Sequence, residues 1–416
     1  MIGVVLAAGK GERLRPFTET RPKPLIPVLD KPLIWYPLTF LRSLGIERVV
    51  VVVSYMKDML QKEVSKLCSD LGMDAVFVDQ GEERGTAHAV KRALGSVDDD
   101  AVIVYGDLYI ENSVARAVLR ALERSREPLL VASRVSDVSR YGALVVEGDR
   151  VAEIIEKPPQ GGPGLANVGI YYIPHELLEG VERIELSPRG EYELTDLAKV
   201  LKDTGRPFRY IEIGSGEWLD VGYPWTLLDL YKRVLSKFVG RAVYGDVDRI
   251  ATIRGPVVVE RGARIKGATY IEGPAYIGEN AAIGPNTYIR PFTAILEGAR
   301  IGFSVEVKES VVMEHAHAAH LAYIGDSVVG EHVNLGAGTV LANLRFDNKT
   351  VKVTIKGRRV DSGRRKLGAL IGGYVKTGIN VSIMPGVKIG SHAIIYPGVT
   401  VYRDVPPSTV VKTDWR

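Results

Sequence analysis

Apolar residues fall along this chain in two rhythms. Up to about residue 240, short apolar runs (IGVVLA at 2–7, VVVVV at 49–53, AVFV at 75–78, AVIVY at 101–105 and LLVA at 129–132) alternate with stretches of helical spacing such as 112–125. Apolar runs of that length predict buried strands, and their alternation with amphipathic segments predicts a mostly parallel sheet covered by helices. The expected fold of this half is therefore α/β, a Rossmann-like, mostly parallel sheet.

From Val247 the rhythm changes. Val247, Ile253, Val259, Ile265, Ile271, Ile277, Ile283, Ile289, Ile295, Ile301 and Val307 place an aliphatic residue at every sixth position. A helix of 3.6 residues per turn cannot keep such residues on one face, whereas six is three strand alternations, so the repeat predicts short strands and turns stacked as a parallel β-solenoid. The register slips after Val307, returns as Tyr323, Val329, Leu335 and Leu341, breaks over 345–367, and resumes with Ile371, Thr377, Ile383, Ile389, Ile395 and Val401. Breaks in a solenoid mark protruding loops, where function tends to sit. Residues 225–239 carry the spacing of one amphipathic helix. The expected organisation is 1–225, a linker helix at 226–245, the solenoid at 246–408 and a tail at 409–416.

At 416 residues the chain exceeds one ordinary core, in agreement with two domains. Its 54 basic and 50 acidic residues nearly balance, which argues against nucleic acid or an anionic membrane as partner. Cys68 is the only cysteine, so disulfides within the chain and thiolate-rich metal sites are excluded. No uncharged run approaches the roughly 18 residues of a membrane span, and a cytoplasmic location is expected.

Chemistry is suggested first by the stretch VVLAAGKGERLRPFTETRPKPLIPV at 4–28. Gly9 and Gly11 follow a strand at once, allowing a tight turn with amides facing outward as a helix begins; Arg13, Arg15 and Lys23 add positive charge. A third glycine and a Lys-Ser/Thr pair are missing, so neither the dinucleotide fingerprint nor a Walker A loop fits. The residues alone leave an anion cradle and a basic surface loop both open. Asp107 and Asp220 each end a strand-like segment, where an aspartate is either a turn residue or, paired with a second carboxylate, a Mg²⁺ ligand.

The stretch resembles the signature of the sugar-1-phosphate nucleotidylyltransferases, L-A-G-G-x-G-T/S-R-L…P-K-P, through Leu6-Ala7-Ala8-Gly9-Lys10-Gly11-Glu12-Arg13-Leu14 and Pro22-Lys23-Pro24. The similarity continues in Gln80, Gly85-Thr86-Ala87, Tyr105-Gly106-Asp107, Tyr141-Gly142, Glu156-Lys157-Pro158, Asn167-Val168-Gly169-Ile170-Tyr171 and Trp218-Leu219-Asp220-Val221-Gly222. The resemblance implies Arg13 and Lys23 as catalytic residues. It implies nucleotide contacts at Leu6, Ala8, Gly9, Gly11, Gln80, Gly85 and Thr86, and Mg²⁺ ligands at Asp107 and Asp220. Sugar-phosphate contacts are implied at Tyr105, Gly142, Glu156, Lys157 and Asn167. Glu12 departs from the pattern, standing where the family has Thr or Ser and adding negative charge beside the expected phosphates.

Four of the seven histidines, His315, His317, His320 and His332, lie in or near the first register break. Spacing alone leaves zinc ligation and solvent-facing histidines open. Residues 287–349 resemble the acetyltransferase domain of the bifunctional N-acetylglucosamine-1-phosphate uridylyltransferases and their archaeal relatives, a left-handed β-helix of hexapeptide repeats. The matches are Ile289-Arg290-Pro291, Val305-Glu306-Val307-Lys308, Ala319-His320-Leu321-Ala322-Tyr323-Ile324-Gly325-Asp326, Val333-Asn334-Leu335-Gly336-Ala337-Gly338-Thr339, Asn343 and Lys349. That resemblance implies His320 as general base, Arg290, Lys308 and Lys349 on the sugar phosphate, and Tyr323, Asn334 and Asn343 on the sugar. Imidazole suits the task because acetyl transfer to an amine needs a proton removed near neutral pH. His315 and His317 then default to exposed loop residues. Gly373 replaces a Ser of the acetyl-CoA site and Leu344 a Tyr, and 350–367 is a basic insertion, either a hairpin or a solvated loop.

The leading expectation is a bifunctional enzyme. It transfers UMP or dTMP from UTP or dTTP to a hexose- or hexosamine-1-phosphate with Mg²⁺, and acetylates glucosamine-1-phosphate, or galactosamine-1-phosphate, with acetyl-CoA as co-substrate. A homotrimer through the β-helix is implied. The alternatives are a monofunctional pyrophosphorylase whose β-helix is a regulatory or oligomerisation platform, and a non-catalytic assembly subunit.

Overall fold

The computed structural model describes residues 1–413; the last three residues of the expected 409–416 tail lie outside it. Chain contacts divide it into two compact units. One comprises Met1–Lys10, Pro22–Leu25 and Leu33–Asp220, and the other takes Gly11–Arg21, Ile26–Pro32 and the chain from Val221 onward.

In the first unit a nine-stranded sheet forms among the described residues. Across the sheet the strands run Asp74–Asp79, Arg48–Val53, Ile2–Leu6, Ala101–Tyr105, Gly164–Ile173, Leu129–Val135, Arg209–Ile213, Arg150–Glu156 and Gly142–Glu147. The first four are mutually parallel, and Gly164–Ile173 enters antiparallel to its neighbours on both sides. Val49, Val51 and Val53 face one core with the helices Trp35–Ser43, Lys57–Asp70 and Asn112–Arg124, while Val50 and Val52 face another with Thr86–Ala93 and Leu197–Asp203. An unbroken valine run is what a central strand covered on both faces requires.

In the second unit the described residues build a left-handed parallel β-helix of three sheets holding eight, nine and eight short strands. Partners lie one coil of 18 residues apart in the early turns, as in Val257↔Ala275↔Thr293 and Ile271↔Ile289. The inward residues stack as aliphatic columns such as Ile265, Ile283, Ile301, and almost all are buried. The register slip resolves into two five-residue steps, Val307 to Val312 and Ile324 to Val329, because Ile295 pairs with Val312 and Val312 with Val329. One correction follows: Ile324, fully buried, continues the ladder where Tyr323 was expected, and Tyr323 faces outward on the neighbouring position. Thr377 sits in the ladder as expected; its hydroxyl, 3.0 Å from that of Thr339 and bonded by the Gly336 amide at 2.9 Å, is not left unpaired.

Two further expectations change. No α-helix begins after the glycines: Gly11 (φ 62°) opens only a three-residue 3₁₀ turn, Glu12–Leu14, because Pro16, Pro22 and Pro24 bar regular helix beyond it. The amphipathic stretch 225–239 is helical only over Thr226–Leu235, and by Arg241–Val243 the chain is already the first strand of one β-helix sheet. The break at 345–367 contains a hairpin, Lys352–Ile355 against Arg358–Asp361, turned by Lys356 and Gly357 with φ 47° and 76°, the positive pair a two-residue hairpin favours. Val351, Val353 and Ile355 are buried, so this insertion is packed and not merely solvated.

Replacing Ile301 by Ala removes one rung of the inward stack and should cost about 2–5 kcal/mol in denaturant unfolding, whereas Ala at its exposed neighbour Arg300 should stay within about 0.5 kcal/mol. Equal shifts in midpoint would contradict the inward assignment.

Candidate active sites

In the first unit, Asp107 follows the strand Ala101–Tyr105 and Asp220 ends the strand Trp218–Asp220, which pairs antiparallel with Leu108–Ile110 so that Asp220 stands opposite Leu108. That pairing brings two carboxylates from points 113 residues apart in sequence to one spot. Lys23 joins them, its ammonium 2.5 Å from Asp107 and 3.5 Å from Asp220. Lys23 is nearly buried at 6% exposure, while both carboxylates are partly open. The Lys23 ammonium bridges the two carboxylates, whose hard-oxygen donors fit Mg²⁺ with its retained waters and substrate phosphates. Among the described residues no group of three or more acidic, imidazole or thiol side chains is gathered as a metal cage.

Around the expected base pocket, the buried Gln80 donates from Nε2 to the Gly85 carbonyl at 3.1 Å and lies 3.3 Å from His88 Nδ1. Gly85 has φ 104°, and a Cβ there would lie 2.5 Å from the Tyr192 carbonyl, so no other residue fits. Thr86 opens the helix Thr86–Ala93 and accepts the Leu194 amide at 2.9 Å. Leu6 and Ala8 are held by backbone bonds from the Gly106 and Tyr55 amides, at 2.9 and 3.3 Å. Gly9 has open space where its Cβ would stand. Gly11 and Arg13 belong to the second unit, where the Arg13 guanidinium lies 5.4 Å from the centre of the Tyr223 ring. Glu12, the departure from the family pattern, is paired there with Lys356 of the hairpin at 2.6 Å.

The sugar-side residues are also brought together. Gly142 is the register partner of Glu156, and a Cβ on it would come within 3.1 Å of the Glu156 carboxylate. Lys157 salt-bridges Glu156 at 2.8 Å. Asn167 donates to the Tyr171 hydroxyl at 2.5 Å and accepts the Gly169 amide at 3.0 Å, which fixes its amide, and Tyr105 packs against Tyr171 with ring centres 6.4 Å apart. Burial holds both phenols well above their ordinary values, so each remains a donor. Two residues escaped the sequence reading: Arg189, 2.9 Å from Glu193 and 3.5 Å from Glu156, and Glu193 itself, buried at 6% exposure. The only signal was an acidic residue four places after an arginine in RGEYELTD.

In the second unit, Lys308 reaches Asp326 at 2.8 Å, Asn343 donates to both Asp326 and Tyr323, and Arg290 is paired with Glu306 at 2.9 Å, one coil below Tyr323. Arg290, Lys308, Tyr323 and Asn343 therefore gather on neighbouring coils. His320 ends the strand His317–His320 exposed, one turn before Tyr323. Asn334 is exposed beside His317, its register partner, and Lys349 is exposed in the loop before the hairpin. Of the two histidines expected to be exposed loop residues, His315 is exposed in a turn, whereas His317 is half-buried in a strand. His315 and His332 stack at 5.0 Å, His332 on Tyr374 at 4.9 Å and Tyr374 on His392 at 4.8 Å, forming a corner ladder. His317 is held below its ordinary value by partial burial and by Arg300, His315 and His332. A Cβ at Gly373 would lie 2.4 Å from the Glu331 carboxylate, so the Ser of the family pattern would require that side chain's end to shift.

Residues 2–237 match the nucleotidyl transferase family model, 271–365 the GMPPB C-terminal domain and 368–403 the bacterial transferase hexapeptide model of six repeats. A bifunctional sugar-1-phosphate nucleotidylyltransferase/acetyltransferase of Sulfurisphaera tokodaii is 45% identical over 97% of this chain and 98% of its own length. The bifunctional protein GlmU of Methanocaldococcus jannaschii is 38% identical over 99% of this chain and 97% of its own. Among solved structures, one described as a glucose-1-phosphate thymidylyltransferase from Bacillus anthracis aligns with TM-score 0.51 at 25% identity, covering 58% of this chain and 98% of that one.

Glu193 supplies a test of the site's electrostatics. Burial and then the charge of Glu156 push its carboxyl up from 4.5 to about 7, so the folded protein binds a proton there that the unfolded chain has already released. Stability contributed by that proton is present in acid and is lost as pH rises from 4.5 through 7. Glu193→Gln should flatten the fall in unfolding free energy over that window, by about 1–3 kcal/mol, in urea titrations at several pH values. An unchanged slope would show that Glu193 does not titrate there.

Proposed function

The chain belongs to the nucleotidyl transferase family, in its bifunctional sugar-1-phosphate nucleotidylyltransferase/acetyltransferase branch, and from that premise we propose how its residues divide the two reactions. Nucleotidyl transfer is assigned to residues 1–225 and acetyl transfer to 246–408, with 226–245 between them. The observation that carries the first assignment is the convergence of Lys23, Asp107 and Asp220. Asp107 and Asp220 would hold a Mg²⁺ ion, which when bound offsets charge on the nucleotide phosphates. Lys23 and Arg13 are the cationic partners of the triphosphate of UTP or dTTP, and Leu6, Ala8, Gly9, Gly11, Gln80, Gly85 and Thr86 hold the nucleotide. Gly142, Glu156, Lys157, Asn167 and Tyr105 seat the sugar-1-phosphate. Its phosphate oxygen attacks the α-phosphorus, the bond to the β-phosphate breaks, and pyrophosphate leaves, so no protein nucleophile is needed.

For acetyl transfer, His320 takes a proton from the amine of glucosamine-1-phosphate as nitrogen bonds to the acetyl carbon and the thioester bond breaks, releasing coenzyme A. Its imidazole is exposed and makes no hydrogen bond to other described residues, which supports a role toward a ligand. Arg290, Lys308 and Lys349 are the phosphate-side cations, and Tyr323, Asn334 and Asn343 face the sugar. The hexapeptide repeats support a homotrimer through the β-helix. No described helix is long and apolar enough to cross a membrane, and the proposed site of action is the cytoplasm.

With glucosamine-1-phosphate, acetyl-CoA, UTP or dTTP and Mg²⁺ supplied together, free thiol and pyrophosphate are followed separately. His320→Ala should lower thiol release by about 10²-fold or more and spare pyrophosphate release from a preformed N-acetyl acceptor; Asp107→Ala should do the reverse. Loss of both activities in either folded variant would sink the division into two sites.

A further inference from the structure

Asp326 lies at a corner of the β-helix, 2% exposed, with left-handed backbone (φ 48°). Its amide donates to the Lys308 carbonyl and its carbonyl accepts the Gly368 amide, both at 2.8 Å, so the corner is pinned on two sides. The carboxylate points along the same coils. Oδ1 and Oδ2 accept from the Lys308 ammonium at 2.9 and 2.8 Å, and Oδ2 also accepts from Asn343 Nδ2 at 2.5 Å.

A carboxylate can only accept, so the nitrogen of the Asn343 amide, and not its oxygen, must face Asp326. The second N–H of the same nitrogen goes to the Tyr323 hydroxyl at 3.1 Å. Both Asn343 donors are thereby used, and the group it can offer a ligand is its carbonyl oxygen. Tyr323 accepts from Asn343 and so keeps its own proton to donate; burial, which holds the phenol above its ordinary value, keeps that proton in place at neutral pH. A neutral residue at position 326 would leave the amide free to turn over, and the donor and acceptor faces would exchange.

We propose that Asp326 is a positioning residue that sets the hydrogen-bond polarity of the acetyltransferase site. It obliges Asn343 to present an acceptor and Tyr323 a donor, and holds the Lys308 cation beside them. The set is complementary to an acceptor molecule that carries N–H, hydroxyl oxygen and phosphate together. The inference rests on the reading of this region as the amino-sugar-1-phosphate site. A purely structural ion pair would not need a third bond to the Asn343 amide, and a buried ion pair is by itself weak evidence of a stabilising role.

The test is Asp326→Asn, close in size but able to donate or accept. The expected result is a KM for glucosamine-1-phosphate raised about tenfold or more, with the KM for acetyl-CoA and the nucleotidyl transfer rate within about twofold of the unmutated enzyme. An unchanged KM for the amino sugar, or an equal rise in both KM values, overturns the proposal. Should the variant fail to fold, a crystal structure of the unmutated enzyme with glucosamine-1-phosphate decides the matter. Asn343 Oδ1 toward the ligand with Nδ2 still on Asp326 supports it; a turned amide, or a ligand bonded directly to Asp326, overturns it. Failure of the unmutated enzyme to release thiol from acetyl-CoA with any hexosamine-1-phosphate would remove the site reading and the proposal together, whereas thiol release with an unaffected variant removes the proposal alone.

Discussion

The second unit depends on a packing constraint: each span of five or six residues delivers one side chain, almost always aliphatic, to the axis of the β-helix. Once Ile289, Val307, Ile324 and Leu341 are turned inward in one column, alternation along each short strand forces their neighbours outward. Glu306 and Tyr323 thus become neighbours on the outer face of adjacent coils, and Lys308 comes to lie one coil below Gly325. The polar constellation is a by-product of apolar stacking. Its residues come from positions as far apart as 290 and 343, yet the stack fixes their spacing without any long helix.

The first unit solves a different problem. Strand pairing places two carboxylates together, and their repulsion must be balanced. The buried ammonium of Lys23 does this, held in a short 3₁₀ turn, Lys23–Leu25, by flanking prolines. The same three groups that stabilise one another are the ones suited to a divalent ion and phosphate. The acidic side chains on the sugar side are likewise arranged in pairs with cations between them, Glu156 with Lys157 and Arg189, and Arg189 with Glu193. Pairing of this kind leaves Glu193 as the member most affected by burial.

Much of this was legible in the residues. Val49–Val53 announces a central strand because only a strand covered on both faces tolerates five valines, and the sixfold aliphatic repeat has no helical reading. Other features were hidden for physical reasons. Tyr323 and Ile324 are both apolar, and only packing decides which one continues the ladder. No α-helix follows Gly11 because the prolines that stiffen this stretch also bar a regular helix, which the glycine spacing alone does not reveal. Asp326 is the most instructive case: an aspartate at a corner is expected to be a turn residue, its positive φ is what turns demand, and nothing local reveals that a lysine 18 residues earlier and an asparagine 17 residues later converge on its side chain.

The residues that follow the glycine loop have partners far along the chain. Arg21 bonds Glu314 at 3.0 Å and meets Glu331 at 3.4 Å, Thr20 bonds Glu331 at 2.5 Å, and Glu19 accepts the Ser391 amide at 2.7 Å. A polypeptide cut after residue 225 would keep the whole family signature and yet strand a guanidinium that is normally shielded between two carboxylates. Such a fragment would not be an independent nucleotidylyltransferase with its neighbour removed, but a protein missing part of its own loop's support, so modules drawn from sequence motifs and modules drawn from contacts are different objects in this enzyme.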